Sequence, residues 1–290
     1  MGYQLNHAVS SYELSKYLSL EMEGQDSAIL NIAPYSSQTE GSLSFSKNAP
    51  EAQGRIVIVP ESAKGKEGPT EGCYLYSSNP RLDFIRALDY LDRNIGFQTY
   101  SFDSIIHPSA SIGRNVVIDE QGCIIEEGVV IEHNVVIEKG SRIGKNSRIR
   151  VGSLIGGDGF GFERLADGTP IRFVHLGGVV IGEHVEIGAF NAIVRGTLSD
   201  TTIGNHVKTD NLVHIAHNCE IREGALIIAC AEISGGVTVG KNAWVGPNAS
   251  IIQKVQIGEG ALVGIGAVVT KDVDAGSVYA GNPARLLRKI

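Results

Sequence analysis

From Ile203 onward an aliphatic residue recurs at every sixth position: Thr209, Ile215, Ile221, Ile227, Ile233, Val239, Val245, Ile251, Ile257, Val263 and Val269 follow in turn, and only Thr209 breaks the type. The same step runs through Ile125, Ile131, Ile137, Ile143, Ile149 and Ile155, and again from Ile181 to Ile187 to Ile193. Helices repeat near 3.6 residues and strands near 2, so neither element alone carries this period. A solenoid of hexapeptide rungs does. Each rung is a short strand with its aliphatic residue inward, and three rungs close a coil, so residues 18 apart stack about 4.8 Å from one another. The small residues that often follow, such as Gly204, Ala216, Gly240 and Gly258, are expected at corners where positive φ or tight packing excludes larger side chains.

The pattern predicts a mainly β fold: a parallel β-helix over residues 104–272, a small α+β domain over 1–103 and a carboxyl-terminal tail over 273–290. In the first segment, "SSYELSKYL" places Ser10 three residues before Glu13, a capping-box spacing at a helix start. "RIVIVP" and "CYLYS" read as strands. "SNPRLDFIRALDYLDRNIG" reads as a helix capped by Asn79, with Pro80 in its first turn, Phe84, Ile85, Leu88 and Leu91 on one face and Gly96 as its stop.

Composition narrows the function classes. A net charge of -7 argues against a general nucleic-acid binder, which needs clustered Lys and Arg. Cys73, Cys123, Cys219 and Cys230 lack paired metal-type spacing and are expected to be reduced, buried thiols. The opening residues show no secretory signal, and no stretch approaches the roughly 18 apolar residues of a membrane helix. A cytoplasmic enzyme or binding protein fits these limits.

Two interruptions break the repeat. Between Ile155 and Val179 lies "GGDGFGFERLADGTPIRFVHLGG", and from Ile193 to Ile203 the step is ten. A solenoid expels extra residues as loops from a corner, and such loops carry binding residues on a rigid support. Glycines and aromatics in "GGDGFGF" suit close approach to a ligand, with Asp158, Phe160 and Phe162 as candidate contacts; a plain surface excursion is the alternative.

"NLVHIAHNCEI", residues 211–221, holds two histidines. Because Ile215 points inward, alternation sends His214 to the outer face, with Glu232 as its stacked neighbour one coil on. That pair is either a solvated contact or a ligand contact. His217 falls at or beyond a corner, and its neighbour 18 residues later is Gly235. A glycine leaves space above the imidazole and bares a backbone N–H. An imidazole takes up a proton near neutrality and a free N–H stabilises an oxyanion, so the pair suits acyl transfer, with Asp210 one corner earlier as a possible orienting acid. A structural histidine is the competing reading.

These segments carry a resemblance. "IHPSASIG" at 106–113, the "GGDGFGF" interruption and "VVIGEHVEIGAFNAIVRGTLSDTTIGNHVKTDNLVHIAHNCEI" resemble the hexapeptide-repeat acyltransferases, and most closely the UDP-3-O-acylglucosamine N-acyltransferases of lipid A biosynthesis. The first hundred residues resemble that family's uridine-binding domain more weakly. The resemblance implies a left-handed β-helix, a homotrimer with sites between subunits, and no permanently bound cofactor or metal. It implies a UDP-amino sugar acceptor and a phosphopantetheine thioester donor, carried by acyl carrier protein or coenzyme A. By motif it puts the general base at His217 in "IAHN", the oxyanion donor at Gly235 and an associated acid at Asp210. Phe45 and Asn48 in "LSFSKN" correspond to the residues that hold uracil, while a following aromatic is replaced near Glu51.

The carboxyl end departs from this family. Its members carry a terminal helical extension and a further histidine after the catalytic strand, where "SIIQKVQIG" has none. "DAGSVYAGNPARLLRKI" instead resembles the close of coenzyme A dependent sugar acetyltransferases, and Arg285, Arg288 and Lys289 suit either an acidic carrier protein or the phosphates of coenzyme A. Two other classes remain open at this stage: a metal-dependent hydratase, which His214 and His217 fit poorly because an odd step separates them, and a non-catalytic scaffold.

Overall fold

The computed structural model describes residues 2–47, 55–66, 68–69 and 72–290. They form two compact units, Met1–Thr99 with Gly161–Val174, and Tyr100–Phe160 with His175–Ile290. The first boundary thus falls at residue 99 instead of 103, and the long interruption does not stay a loop. Its middle folds as a hairpin, Phe162–Arg164 against Pro170–Arg172, that belongs to the first unit.

The first unit is a six-stranded sheet. Its strands are β1 (Tyr3–Ser10), β2 (Glu21–Gly24), β3 (Ala28–Ile32), β4 (Ser42–Phe45), β5 (Arg55–Pro60) and β6 (Gly72–Ser77), in the order β1-β3-β4-β5-β6-β2. The four inner strands run parallel and the two edges antiparallel. That explains why "RIVIVP" is apolar without alternation: Ile56 and Ile58 on one face and Val57 and Val59 on the other are all buried. Helix α2 (Pro80–Asn94) is capped by Asn79 Oδ1 on Leu82 N–H, and buries Phe84, Ile85, Leu88 and Leu91 completely.

Helix α1 (Ser11–Leu18) departs from the expected capping box. Ser10 Oγ accepts from Tyr12 and Glu13 N–H, but Glu13 does not reach back, because its Oε1 accepts the Tyr90 hydroxyl at 3.0 Å. Asp26 takes over that end: its carboxylate accepts from Ser10 Oγ, Ser11 Oγ and Tyr12 N–H at 2.8 to 3.0 Å.

The second unit is the solenoid. Its strands stack into three faces of eight, ten and eight, parallel throughout except for Arg285–Lys289. The first face runs from Ile105–Ile106 to Gln256–Ile257, the second from Ser111–Ile112 to Arg285–Lys289, and the third from Val117–Ile118 to Val268–Val269. Ile215 pairs with Ile193 below and Ile233 above, and every inward residue of the ladder from Ile203 to Val269 is at most 5% exposed. Each such burial is worth roughly 1.5–3 kcal/mol. Thr209 joins this interior because its Oγ1 accepts from Gly188 N–H at 3.0 Å, which satisfies the hydroxyl.

Close stacking explains the small residues after the inward positions. A Cβ on Gly240 would lie 2.6 Å from Glu259 N of the next coil, although Gly240 has ordinary φ. The last residues are not a separate tail. Ser277–Ala280 pairs parallel with Leu262–Val263, and Arg285–Lys289 returns antiparallel along it. The backbone groups of the final coil need partners, and these strands supply them.

Asp26 leads to a stability prediction. The Tyr12 N–H first, then the Ser10 hydroxyl, hold its carboxyl below the usual carboxylate value. Its contribution is therefore present at neutral pH and is lost as the pH falls through the lowered folded-state pKa. Asp26→Ala is expected to lower unfolding free energy by about 1 kcal/mol at pH 7 in urea titrations. The gap to the parent chain should close only below about pH 4.

Candidate active site

Both interruptions leave the solenoid at one edge, where the third face turns into the first. The long one follows Leu154–Ile155, the short one follows Ala192–Ile193 on the next coil, and His217 follows His214–Ile215 on the coil after that. Gly235 follows Glu232–Ile233 directly above. Three successive coils therefore present an exit loop, a short loop and a half-buried histidine at one place.

A Cβ on Gly235 would fall 2.6 Å from Cε1 and 2.7 Å from Nε2 of His217, so only glycine lets the imidazole lie there. Among the described residues Gly235 N–H makes no hydrogen bond, whereas the next amide, Gly236 N–H, donates to His217 O at 2.9 Å. On its other side the ring meets Gly159, whose Cβ would stand 3.3 Å from both Cβ and Cδ2 of His217. His175 completes the surround, edge to face with His217 at 5.6 Å between centroids and 75° between planes.

Asn218 sets the tautomer. Its Nδ2 donates to Ser199 O at 3.0 Å and Ser199 Oγ at 2.8 Å, and a carbonyl can only accept, so the amide orientation is determined. Oδ1 therefore faces the other way. There it accepts from Thr197 N–H and Oγ1–H at 3.2 and 2.9 Å, and lies 2.9 Å from His217 Nδ1. The contact requires hydrogen on Nδ1, which leaves the lone pair on Nε2, the nitrogen beneath Gly235. A proton acceptor thus lies beside the glycine whose N–H has no partner among the described residues.

A family model for the bacterial transferase hexapeptide (six repeats) matches residues 122–157 and 236–271. UDP-3-O-acylglucosamine N-acyltransferase of Delftia acidovorans is 36% identical over 271 residues, 87% of this chain and 79% of that protein. The chain belongs to the UDP-3-O-acylglucosamine N-acyltransferase family. The enzyme of the same name from Campylobacter curvus is 39% identical over 43% of this chain, a match that spans only 40% of that relative's length. Among solved structures, LpxA from Acinetobacter baumannii superposes with a TM-score of 0.55 at 26% identity, covering 63% of this chain and 71% of that one. The solenoid shares the left-handed β-helix of these neighbours.

Within this family frame, the sequence-derived residues separate. His217 and Gly235 meet as described. Asp158, exposed on the exit loop, ion-pairs with Arg195 at 3.7 Å, and Arg195 Nε also holds Gly156 O at 2.6 Å. Phe160 projects from that loop 90% exposed. His214 lies on the outer third face beneath Glu232. Asp210 does not orient His217 within the chain: it sits at the preceding edge, where Oδ1 accepts from Asn211 N–H at 2.7 Å. One face of the prism separates the two, and Asn218 occupies the orienting position instead.

Phe45 and Phe162 belong to the first unit, while Asn48 and Glu51 lie outside the described residues. Phe45 ends β4, half-buried, with its ring 5.0 Å from that of Phe84. This is the carboxyl end of the parallel strands, the usual ligand end of such sheets. A cavity of about 680 Å³ beside Gln25, Leu30, Glu40 and Arg55 lies at the opposite ends of these strands and holds none of the candidate residues.

Sequence reasoning missed Asn218, Thr197, Ser199 and His175. The step of ten between Ile193 and Ile203 was the available signal for Thr197 and Ser199. Of the cysteines, Cys73, Cys123 and Cys219 are buried as expected, but Cys230 is exposed, because it occupies an outward corner at φ 60°. Burial pushes the Cys219 thiol up to about 12, and its Sγ lies 3.1 Å from Ser234 O. A thiol so protonated is a poor nucleophile beside His217.

Two outcomes follow from this geometry. Gly235→Ala should push the imidazole aside, and a crystal structure of the variant should show His217 Nδ1 more than about 3.5 Å from Asn218 Oδ1. Alkylation at pH 8 read by mass spectrometry should modify Cys230 first and leave Cys219 intact in the folded protein.

Proposed function

We propose that the chain is an N-acyltransferase that moves a 3-hydroxyacyl group from acyl carrier protein to the amine of a UDP-3-O-acylglucosamine-type sugar. Family membership supports acyl transfer to a UDP-sugar. The observation that carries the mechanism is the His217 Nε2 lone pair lying against Gly235, whose N–H has no partner among the described residues.

The sugar nitrogen attacks the thioester carbonyl while Nε2 of His217 accepts its proton. Asn218 Oδ1 holds Nδ1–H and so stabilises the imidazolium that forms. Negative charge developing on the carbonyl oxygen falls to Gly235 N–H. Collapse expels the phosphopantetheine sulfur, which takes the proton from Nε2 and leaves as thiol, and the amide remains on the sugar. No covalent enzyme intermediate forms, consistent with the protonated Cys219. In this reading Phe45 and Asn48 hold the uracil, while Asp158, Phe160, Phe162 and His214 contact sugar or acyl groups.

A homotrimer, its sites completed between protomers, and a cytoplasmic location are part of the proposal. Phe190 and Leu212 support the oligomer: both adopt left-handed φ at the edge between the second and third faces, and both are about 60% exposed. A bulky apolar residue in that strained, wet position is explained by a covering surface. Among the described residues no helix is long and apolar enough to cross a membrane, and no three His, Cys, Asp or Glu side chains group to hold a metal.

One observation favours acetyl transfer from acetyl-CoA as a second reading. The terminal strand Arg285–Lys289 is exposed throughout and presents Arg285, Arg288 and Lys289. Those groups suit coenzyme A phosphates as well as an acidic carrier protein.

The deciding assay supplies both thioesters with UDP-3-O-acylglucosamine. Turnover with 3-hydroxyacyl carrier protein is expected, and His217→Ala should lower kcat by about 10² or more with little change in KM. Turnover with acetyl-CoA alone selects the second reading, and an active His217→Ala removes the base from both.

A further inference from the structure

The second histidine at this edge has no part in the reaction steps above. We propose that His175 is a positioning residue, the wall that sets the rotation of the His217 ring so that Nδ1 meets Asn218 and Nε2 faces Gly235. This inference rests on the reading of His217 as general base.

An imidazole on its single stem has two soft torsions, and a half-turn about χ2 exchanges Nδ1 with Cδ2. That half-turn would take the lone pair away from the reacting space. One neutral hydrogen bond biases such a choice by about tenfold at most. Here every edge of the ring meets a neighbour. Nδ1 meets Asn218, Cδ2 and Cβ meet Gly159, Nε2 and Cε1 lie under Gly235, and His175 stands edge to face against the ring.

His175 is itself firmly held. It is only 6% exposed, the first residue of the solenoid unit after the Gly161–Val174 segment of the long interruption. Leu176 N–H beside it donates to Thr197 O at 2.8 Å, and Gly177 N–H donates to both Gly196 O and Thr197 O at 3.0 Å. A Cβ on Gly177 would lie 2.4 Å from Ser199 O, so the returning chain is pressed against the short loop. Thr197 and Ser199 of that loop are the residues that hold Asn218. The wall and the hydrogen-bond acceptor that orient His217 are thus fastened to the same four extra residues, and shift or stay together.

The test compares His175→Ala, which removes the wall, with His175→Phe, which keeps a flat ring and removes both nitrogens. The readouts are kcat and KM for each substrate, and the His217 tautomer in long-range proton–nitrogen spectra of the full-length, histidine-labelled protein. His175→Ala should lose the single Nδ1–H signature and lower kcat tenfold or more, with both KM values within about twofold. His175→Phe should keep the signature and a kcat within about threefold.

An alanine variant with unchanged kcat and tautomer overturns the proposal. So does a phenylalanine variant as inactive as the alanine one, which would assign the role to a ring nitrogen. If the alanine variant does not fold, His175→Leu fills the volume without a flat ring and is held to the same outcomes. The spectra need no turnover, so the proposal about His175 is decided even where the acyl-transfer reading fails.

Discussion

Parallel stacking of coils at the ordinary strand spacing is the constraint from which the rest of the molecule follows. Each coil must place an aliphatic side chain above another, pair its backbone with the coils on either side, and keep its corners clear of the neighbours' main chain. The contact of Ile193, Ile215 and Ile233 meets the first demand, and Gly240 beneath Glu259 meets the last. Such a lattice tolerates little variation in its interior. It concentrates variation at the edges, where residues can leave the ladder without breaking a pairing.

The candidate site uses that freedom at one edge. An inserted segment departs there on one coil, a shorter one on the next, and the undisturbed coil that follows carries His217. The regular coil supplies a rigid stem for the imidazole and a bare amide above it at Gly235. The irregular coils supply what the repeat cannot: a carbonyl at Ser199 to orient Asn218, a hydroxyl at Thr197, and a second ring at His175. Orientation of the imidazole therefore comes from the interruptions, while its separation from the Gly235 amide comes from the repeat.

Reading from sequence succeeded where a residue's neighbour is a fixed number of positions away. His214 beneath Glu232 and His217 beneath Gly235 follow from a count of 18, and the structure places both pairs so. The count fails across an insertion, since Ile143 pairs with Ile181 and Ile193 with Ile215. His175 was invisible for that reason. Asp210 does not meet His217 within one chain for a different reason: it is close along the sequence, yet one face of the prism separates them. The capping box failed in the same way, because Tyr90, distant in sequence, draws Glu13 away.

The sequence by itself determined the solenoid, the inward ladder, the edges at which the chain departs and the pairing of one imidazole with one glycine, because a periodic fold converts separation along the chain into separation in space. Only the tertiary structure decided that the long insertion folds as a hairpin of the first unit, that the last strands close the final coil, and that Asn218 and His175 set the His217 ring. Those outcomes depend on hydrogen bonds and ring contacts between segments with no fixed spacing, and no periodicity encodes them.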